Sequence, residues 1–331
     1  MSSEQLLADA LTAAVAEGER VRGTTSPNPP VGCAIVGPSG ELVACAGTHP
    51  AGGPHAEAAA LALAGERARG ATAVVTLEPC NHTGRTGPCA EALARAGVAE
   101  VVYLTADPNP IAAGGAEYLR EHGVAVRHVP TPVAALEPWL AAVQLGRPSV
   151  TWKYAATADG FTAAADGTSQ WITGPAARER VHRDRAVRDA IVIGTGTAIA
   201  DNPSLTARRP DGSLYPAQPR RVVIGSRPVT SGTLAEFGFE RYPDPQTALR
   251  KLWDTGARDV LVEGGACLAR AFVEADLVDF VQAYIAPAFL GAGRGVLGGE
   301  VAPTIARAHR FVPVRAELVG GDVLFEMRRK A

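Results

Sequence analysis

The chain has little net charge. Its 331 residues carry 32 basic and 34 acidic side chains, which gives a formal net charge of -2. This balance excludes a general electrostatic attraction to nucleic acid or to an anionic membrane surface. The sequence also lacks an apolar run approaching the roughly 18 residues that a bilayer span requires. We therefore expect neither nucleic acid nor a membrane among the partners of this protein.

Cysteine is scarce, and the first residues are not basic. Five cysteines, an odd number in a chain of this length, favour a reducing compartment in which thiols stay free or bind metal. The segment MSSEQLLADALTAAVAEGER carries acidic residues in place of the basic region that opens a signal peptide. These features predict a cytoplasmic protein, and they leave homo-oligomerisation open.

Composition and pattern predict two α/β domains in tandem. Hydrophobic residues make up 47% and charged residues 20% of the chain, as in packed globular proteins. Strand and helix patterns alternate along both halves, including a strand over DAIVIGTGT, which is typical of layered α/β architecture. The segment GRPSV at 146–150 predicts a linker. We therefore place the domains at 1–145 and 146–331.

A histidine and two cysteines in the first half have the pattern of a catalytic zinc site. His55 opens a predicted helix, Cys80 follows the predicted strand AVVTLE, and Cys89 begins the next helix. One imidazole and two thiolates leave the fourth position of a tetrahedral zinc ion for water. Glu57 is too close in sequence to His55 to share its helix face, so it can lie beside that water and move protons. This is the role of the glutamate in the H-x-E…P-C-x-x-C signature of zinc-dependent base deaminases.

The spacing of the two cysteines departs from that signature. Eight residues, NHTGRTGP, separate Cys80 from Cys89 where the signature has two. His82 lies in this insert and is the rival ligand, although a loop histidine more often faces solvent or supports a ligand. Three further cysteines have no spaced partner and are interpreted as small buried hydrophobes: Cys33, Cys45 and Cys267.

Signals in the second half are weaker. The glycines of GTGT at 194–197 form only part of a dinucleotide-binding motif. VEGGACLARAF joins a strand to a helix start, which could offer backbone N–H groups to a phosphate or could be a tight turn. Lys153, one of only three lysines beside 29 arginines, lies in an apolar strand and suggests a positioned charge or a snorkelling side chain. Arg185 and Arg208 are suited to bind phosphate if they converge.

Taken together, these motifs resemble a known family. TSPNPPVGCAIV, HAE, TLEPCNHTGRTGPC and DPNP resemble the deaminase domain of the bifunctional riboflavin-biosynthesis deaminase/reductases, in which a long insert between the cysteines is usual. The resemblance covers about residues 5 to 145 and implies a cytidine-deaminase-like three-layer α/β/α fold. It also implies that Asn28 and His49 line the pocket for the pyrimidine and its ribose.

The second half resembles the reductase domain of the same family, through KYAATADG, SQWITGPAAR, ADNPSLTAR, VVIGS, VEGGACLA and IAPAFLG. This resemblance implies a dihydrofolate-reductase-like α/β fold that uses NADPH. The implied cofactor contacts are Ala155, Trp171, Thr197, Asp201, Ser226 and the run Gly265, Ala266, Cys267 and Leu268. The implied contacts to a phosphoribosyl substrate are Ser169, Arg185, Leu205, Arg208 and Glu263, and we add Lys153 to them.

The resemblance implies two consecutive reactions on a phosphoribosyl-pyrimidine: hydrolysis of an exocyclic amine at zinc, then reduction of the ribose by NADPH. One rival is a nucleoside or tRNA base deaminase fused to an unrelated reductase, but a tRNA enzyme should show a basic face. A second rival is a non-catalytic protein that keeps the fold. The presence of all three ligands together with Glu57 argues against it.

Overall fold

The computed structural model describes residues 3–83 and 87–330. The chain divides into two compact units, Met1–Gly146 and Arg147–Ala331. The boundary expected from the sequence lies one residue earlier. Within the described ranges, no helix combines the length and the apolar character that crossing a membrane requires.

The first unit alternates helices and strands. Its elements are α1 (Ser3–Val21), β1 (Gly32–Val36), β2 (Leu42–Gly47), α2 (Ala56–Ala64), a 3-10 turn (Gly65–Ala68), β3 (Thr72–Leu77), α3 (Cys89–Ala96), β4 (Glu100–Thr105), α4 (Gly115–Glu121), β5 (Ala125–His128) and α5 (Glu137–Leu145).

The five strands form one sheet in the order β2-β1-β3-β4-β5, and helices cover both of its faces. Because successive strand residues point to opposite faces, Ala34 packs with α1 while Cys33 and Ile35 pack with α2, α3 and α4. Helix α1 lies very close to β1, since a Cβ atom at Gly32 would meet the carbonyl oxygen of Ala14 at 1.8 Å. The predicted three-layer arrangement is confirmed.

The second unit is a larger α/β layer structure. Its elements are β6 (Ser149–Thr157), β7 (Phe161–Ala164), α6 (Pro175–Arg185), β8 (Ala190–Gly194), α7 (Thr195–Asp201), β9 (Arg220–Ile224), α8 (Thr233–Phe237), β10 (Glu240–Tyr242), α9 (Pro245–Asp254), β11 (Asp259–Val262), α10 (Ala266–Glu274), β12 (Phe280–Ala286), β13 (Gly293–Gly295), a 3-10 turn (Ile305–Arg307), β14 (Phe311–Val319) and β15 (Asp322–Arg329).

Its main sheet has the order β10-β9-β8-β11-β6-β12-β15-β14. The first six strands of that order run parallel, and β15 and β14 pair antiparallel at the end. One face packs against α9 and α10, and the other against α6, α7 and α8. In such sheets ligands bind beyond the carboxyl ends of the parallel strands. The segments that follow β6, β8, β9 and β11 all begin at this edge of the sheet.

Three details of the sequence interpretation were wrong. The linker is shorter than GRPSV, because Ser149 and Val150 already belong to β6. The strand DAIVIGTGT ends at Gly194, and Thr195 begins helix α7. Cys267 is exposed rather than buried, because neighbouring Ala266 and Leu268 take the core-facing positions of α10, whereas Cys33 is buried and Cys45 partly so.

Candidate active sites and family

The first site forms where a helix N-terminus meets the ends of two parallel strands. His55 is the residue that caps α2, and Cys89 is the first residue of α3. Cys80 lies in the loop that leaves β3, and its backbone carbonyl accepts a hydrogen bond from the N–H of Ala90. The loop and both helix starts therefore converge on one point.

The distances between the ligand atoms fit a zinc ion. The Nδ1 atom of His55 lies 3.6 Å from Sγ of Cys80 and 3.4 Å from Sγ of Cys89. Tetrahedral zinc with bonds of about 2.3 Å to sulfur and about 2.0 Å to nitrogen places such atoms about 3.5 Å apart. All three candidate ligand atoms lie within 4.8 Å of one another. The donor set and its geometry agree with zinc.

Three groups at this point have strongly shifted pKa values. The hydrogen bond between the two thiols lowers the pKa of Cys80 to about 4 and raises that of Cys89. Burial, followed by the charge of Cys80, raises the pKa of Glu57 to about 7. Glu57 is only 4% exposed. These shifts favour the thiolate form of Cys80, which is the metal-binding form of cysteine, beside a carboxyl group whose pKa is raised.

A cavity of about 360 Å³ adjoins this cluster, although Cys89 is not among the residues that line it. Asn28, His55, Glu57 and Cys80 line it, as does His82, whose Nδ1 atom is buried and has no hydrogen-bond partner among residues 3–83 and 87–330. His49 is exposed and does not line the cavity, although its Cβ lies beside Gly53, which does. Residues 84–86 of the insert between the cysteines lie outside the described residues.

Sequence reasoning missed several residues of this cavity. Asp107 and Asn109 follow β4, and Trp139 belongs to α5. The carboxylate of Glu78 accepts hydrogen bonds from the backbone N–H groups of Asp107 and Gly114. The motif DPNP was a usable signal for the first two residues, since it follows a strand parallel to β3. Trp139 had no such signal.

The second unit has a larger cavity, of about 940 Å³. Six of the residues expected from the sequence line it: Lys153, Trp171, Arg185, Asp201, Leu205 and Arg208. His182 and Arg178 also line it and were not expected. Arg178 stacks on the exposed indole of Trp171 at 4.5 Å, and burial is the main cause that lowers the pKa of His182. Basic groups therefore outnumber acidic ones around this cavity.

Arg185 and Glu263 form a bidentate ion pair. Both contacts are 2.7 Å, and Arg185 also donates to the carbonyl oxygen of Thr206 at 3.2 Å. Burial alone would raise the pKa of Glu263, but the charge and hydrogen bonds of Arg185 outweigh it and lower the pKa to about 2. Lys153 lies 5.6 Å from the ring centre of Tyr284, and its pKa is lowered by burial. Arg208, by contrast, is exposed.

Most of the other expected contacts in this unit follow the carboxyl ends of the parallel strands. Thr197 lies in α7 directly after β8, and its hydroxyl oxygen accepts the N–H of Gly265 at 3.0 Å. Gly265 caps α10, which carries Ala266, Cys267 and Leu268. Ser226 follows β9, Ala155 lies within β6, and Ser169 is exposed in the loop between β7 and α6. Thr197 and Gly265 are thus in direct contact. The expected contacts outside the lining of the 940 Å³ cavity are Ala155, Ser169, Thr197, Ser226, Glu263 and residues 265–268.

Comparison with known proteins explains the two units. Residues 5–105 match the family model described as the cytidine and deoxycytidylate deaminase zinc-binding region, and residues 148–325 match the RibD C-terminal domain. The riboflavin biosynthesis protein RibD of Corynebacterium ammoniagenes is 54% identical over 95% of this chain and 96% of its own length. The chain belongs to the RibD family. RibD of Mycobacterium tuberculosis H37Rv is 47% identical over 99% of both chains.

Solved structures agree with this assignment. RibD of Acinetobacter baumannii, form 1, matches with a TM-score of 0.85 and 36% identity, over 97% of this chain and 98% of that one. A diaminohydroxyphosphoribosylaminopyrimidine deaminase/5-amino-6-(5-phosphoribosylamino)uracil reductase from Thermotoga maritima matches with a TM-score of 0.87 and 31% identity, over 99% and 100%.

RibD membership settles the main predictions. The chain is a bifunctional enzyme of riboflavin biosynthesis, with a cytidine-deaminase-like domain followed by a RibD reductase domain. The predicted fold class and the two enzyme activities are confirmed. Zinc is supported by the zinc-binding family model and by the His55, Cys80 and Cys89 group. A base deaminase fused to an unrelated reductase is not favoured.

Proposed function

We propose that this RibD protein catalyses two consecutive steps on one phosphoribosyl-pyrimidine. The first unit would hydrolyse 2,5-diamino-6-ribosylamino-4(3H)-pyrimidinone 5′-phosphate to 5-amino-6-(5-phosphoribosylamino)uracil and ammonia. The second would reduce the ribose of that product with NADPH to give 5-amino-6-(5-phosphoribitylamino)uracil. The observation that carries the proposal is the convergence of His55, Cys80 and Cys89 beside a cavity of about 360 Å³ that His55, Cys80 and Glu57 line. This volume is within the size range of small-molecule sites.

In the deaminase, His55, Cys80 and Cys89 would hold zinc. Zinc, when bound, lowers the pKa of its water toward about 7 and so makes a nucleophile available at neutral pH. Glu57 would take up the proton of the attacking water and deliver it to the leaving amine nitrogen. A C–O bond forms as the C–N bond breaks, and ammonia leaves. Glu57 is suited to this because it is buried in the same cavity, with its carboxyl group away from bulk water. Asn28 would hold the pyrimidine, and we assign the ribose to His49.

In the reductase, the residues after the parallel strands would hold NADPH, which supplies the hydride to C1 of the ribose. We assign the cofactor to Thr197, to the start of α10 at Gly265, and to Ser226, Trp171, Asp201 and Ala155. Opening of the ribose ring also requires a proton at the ring oxygen. Lys153 is suited to donate it, because its ammonium group lines the cavity and burial lowers its pKa.

The substrate phosphate would be bound chiefly by Arg208. Arg185 lines the same cavity but already donates to Glu263 and to Thr206. Arg185 would therefore stabilise the lining of the cavity and contribute positive charge toward the phosphate. The remaining substrate contacts would be Ser169, Leu205 and Glu263. A charge-assisted hydrogen bond contributes about 1.5–3 kcal/mol. Arg208→Ala should then raise the reductase KM about 10- to 100-fold. Arg250→Ala, at an exposed position of α9, is the control, and an unchanged KM for Arg208→Ala would refute the assignment.

One experiment tests the whole proposal. The protein and zinc are incubated with the diaminopyrimidine phosphate, with and without NADPH, and the masses of the products are measured by mass spectrometry. Without NADPH, an amine should be replaced by oxygen and nothing more. With NADPH, that product should gain two hydrogens. No deamination by zinc-loaded protein would contradict the first activity, and no gain of hydrogen would contradict the second.

A further inference from the structure

Asn28 lies in a turn that can make few hydrogen bonds of its own. Three of its neighbours are prolines, in the sequence Thr25-Ser-Pro-Asn-Pro-Pro, and proline has no N–H to donate. Within the turn, the N–H of Asn28 donates to the carbonyl of Thr25 at 3.0 Å, and the Thr25 hydroxyl donates to the carbonyl of Asn28 at 2.9 Å. These two hydrogen bonds leave the carbonyl of Pro27 available to a donor from outside the turn.

Trp139 supplies that donor. Its indole N–H donates to the carbonyl oxygen of Pro27 at 3.0 Å, across 112 positions of the chain. The side chain is 7% exposed and packs in the main core of the first unit with Leu136 and Val133. A buried indole N–H usually has a hydrogen-bond partner, and a core tryptophan has little freedom to move. The turn is therefore tied to a rigid point.

The same side chain also forms a wall of the deaminase cavity, together with Pro27, Asn28 and Leu77. Helix α5, which carries Trp139, begins at Glu137 and thus lies outside the residues 5–105 that match the deaminase family model. The cavity is completed by a residue that the zinc-binding region does not contain.

We infer that Trp139 is a positioning residue of the deaminase: its indole N–H fixes the turn that presents Asn28 to the pyrimidine, and its ring bounds the pocket. This inference rests on the proposed function, in which Asn28 holds the substrate. Trp139→Phe keeps an aromatic ring in the core but removes the donor. The turn should then lose its anchor, whereas the zinc ligands and Glu57 keep theirs.

The test compares deaminase kinetics of Trp139→Phe, Asn28→Ala and the double variant. Trp139→Phe should raise KM for the diaminopyrimidine phosphate at least fivefold, leave kcat within twofold and leave the zinc content unchanged. Because residues that act through one another are not additive, the double variant should bind no worse than Asn28→Ala alone. Trp253→Phe, in the second unit, is the matched control and should change neither constant.

The outcomes separate the inference from the proposed function. If Asn28→Ala leaves KM unchanged, the proposed role of Asn28 is wrong and the inference falls with it. If Asn28→Ala raises KM but Trp139→Phe does not, or if their effects multiply, the proposed function stands and the inference is overturned. A fall in kcat together with zinc loss in Trp139→Phe would also overturn it, since that is a general structural defect.

A second measurement does not depend on a folded variant at position 139. Trp139 is the only tryptophan among residues 1–146. In tryptophan-labelled protein, the NMR signal of its indole N–H can be assigned by replacing each of the other three tryptophans in turn with Phe. That signal should exchange slowly with solvent and shift when the diaminopyrimidine phosphate is added. Fast exchange, or no shift at saturating substrate, would overturn the inference.

Discussion

Glu57 lines the same cavity as His55 and Cys80, but the roles of Glu57 and of the zinc ligands can be separated by substitution. Glu57→Gln keeps the size of the side chain and removes its ability to accept a proton. Because positioned acid–base groups contribute about 10²–10⁴-fold to rate, deaminase kcat should fall by that amount while zinc stays bound. Cys80→Ser should lose both zinc and deamination, since one of three protein ligands changes. Metal analysis together with deaminase assays measures both. Zinc loss from Glu57→Gln would contradict its assignment as a proton carrier.

The Arg185–Glu263 pair should make stability depend on pH. The pKa of Glu263 is about 2 in the folded protein and about 4.3 in an unfolded chain. Because the pKa is depressed, the pair contributes roughly 3 kcal/mol to the free energy of unfolding above about pH 4.3. This contribution is lost as the pH falls toward 2. Glu263→Gln should remove this pH dependence and leave Arg185 buried without its partner, at a cost of about 3–5 kcal/mol.

Denaturant unfolding of the protein and of Glu263→Gln at pH 3 and pH 6 measures this effect. Glu240→Gln is the matched control, because Arg220 and Glu240 form a bidentate pair of the same kind that is about one-third exposed. Exposed pairs contribute little, so this control should shift stability by no more than about 1 kcal/mol. Equal effects of the two substitutions would show that burial of the Arg185 pair is not what makes it strong.

Individual residues differed in how far the sequence could predict them. His55, Cys80 and Cys89 were predictable as a group, because each stands at the start of a helix or directly after a strand, where local pattern fixes position. Trp139 and the Arg185–Glu263 pair were not, because they join segments far apart in the chain. Only packing decides which buried donor meets which carbonyl or carboxylate, and no periodic pattern encodes that choice.

At the level of elements, the end of β9 is a candidate for cofactor selectivity. Ser226 and Arg227 follow this strand and are exposed. Arg241, from neighbouring β10, donates to the carbonyl oxygens of Gly225 and Ser226 and so holds the strand end. The guanidinium groups of Arg227 and Arg241 therefore lie near Ser226. There they could bind the 2′-phosphate of NADPH through their charge and their planar sets of N–H donors.

Ser226→Asp combined with Arg227→Ala should weaken the binding of NADPH and leave the binding of NADH unchanged, because the new carboxylate repels the 2′-phosphate. The preference for NADPH should fall at least tenfold, which corresponds to about 1.4 kcal/mol. The measurement is kcat/KM with each nucleotide in both proteins, with Arg250→Ala as the control for losing an exposed arginine. If the ratio is the same in the original and double-substituted proteins, selectivity arises elsewhere.

Longer elements were easier to predict than short ones. The predicted strand AVVTLE and the predicted helix that His55 opens both form, as β3 with six residues and α2 with nine. The segment after Ile193 was misassigned because Gly-Thr-Gly-Thr has no apolar periodicity, and a helix of seven residues begins at Thr195. Strands β10 and β13 have only three residues each. At that length no alternation can be seen, and sheet pairing alone determines the strand.

For the whole molecule, the two units each contain their own core and their own cavity. The alternating patterns of the sequence already predicted this division, since a core shared across 331 residues would exceed the usual size of one domain. Each activity should therefore depend on the chemistry of its own unit, and removing the metal offers a direct way to separate them.

Chelation of zinc should abolish deamination and leave reduction intact. The candidate ligands all belong to the first unit, between residues 55 and 89, whereas the cavity assigned to reduction is lined entirely by residues of the second. Treatment with a chelator, followed by its removal, should reduce deaminase kcat to background. The rate of NADPH oxidation with 5-amino-6-(5-phosphoribosylamino)uracil should stay within twofold of the untreated protein. Added zinc should restore deamination, because metal affinity requires only that His55, Cys80 and Cys89 be free of protons and in place. If reduction of the deaminated substrate falls in parallel with zinc content, the second unit depends on the metal and the two activities are not separable in this way.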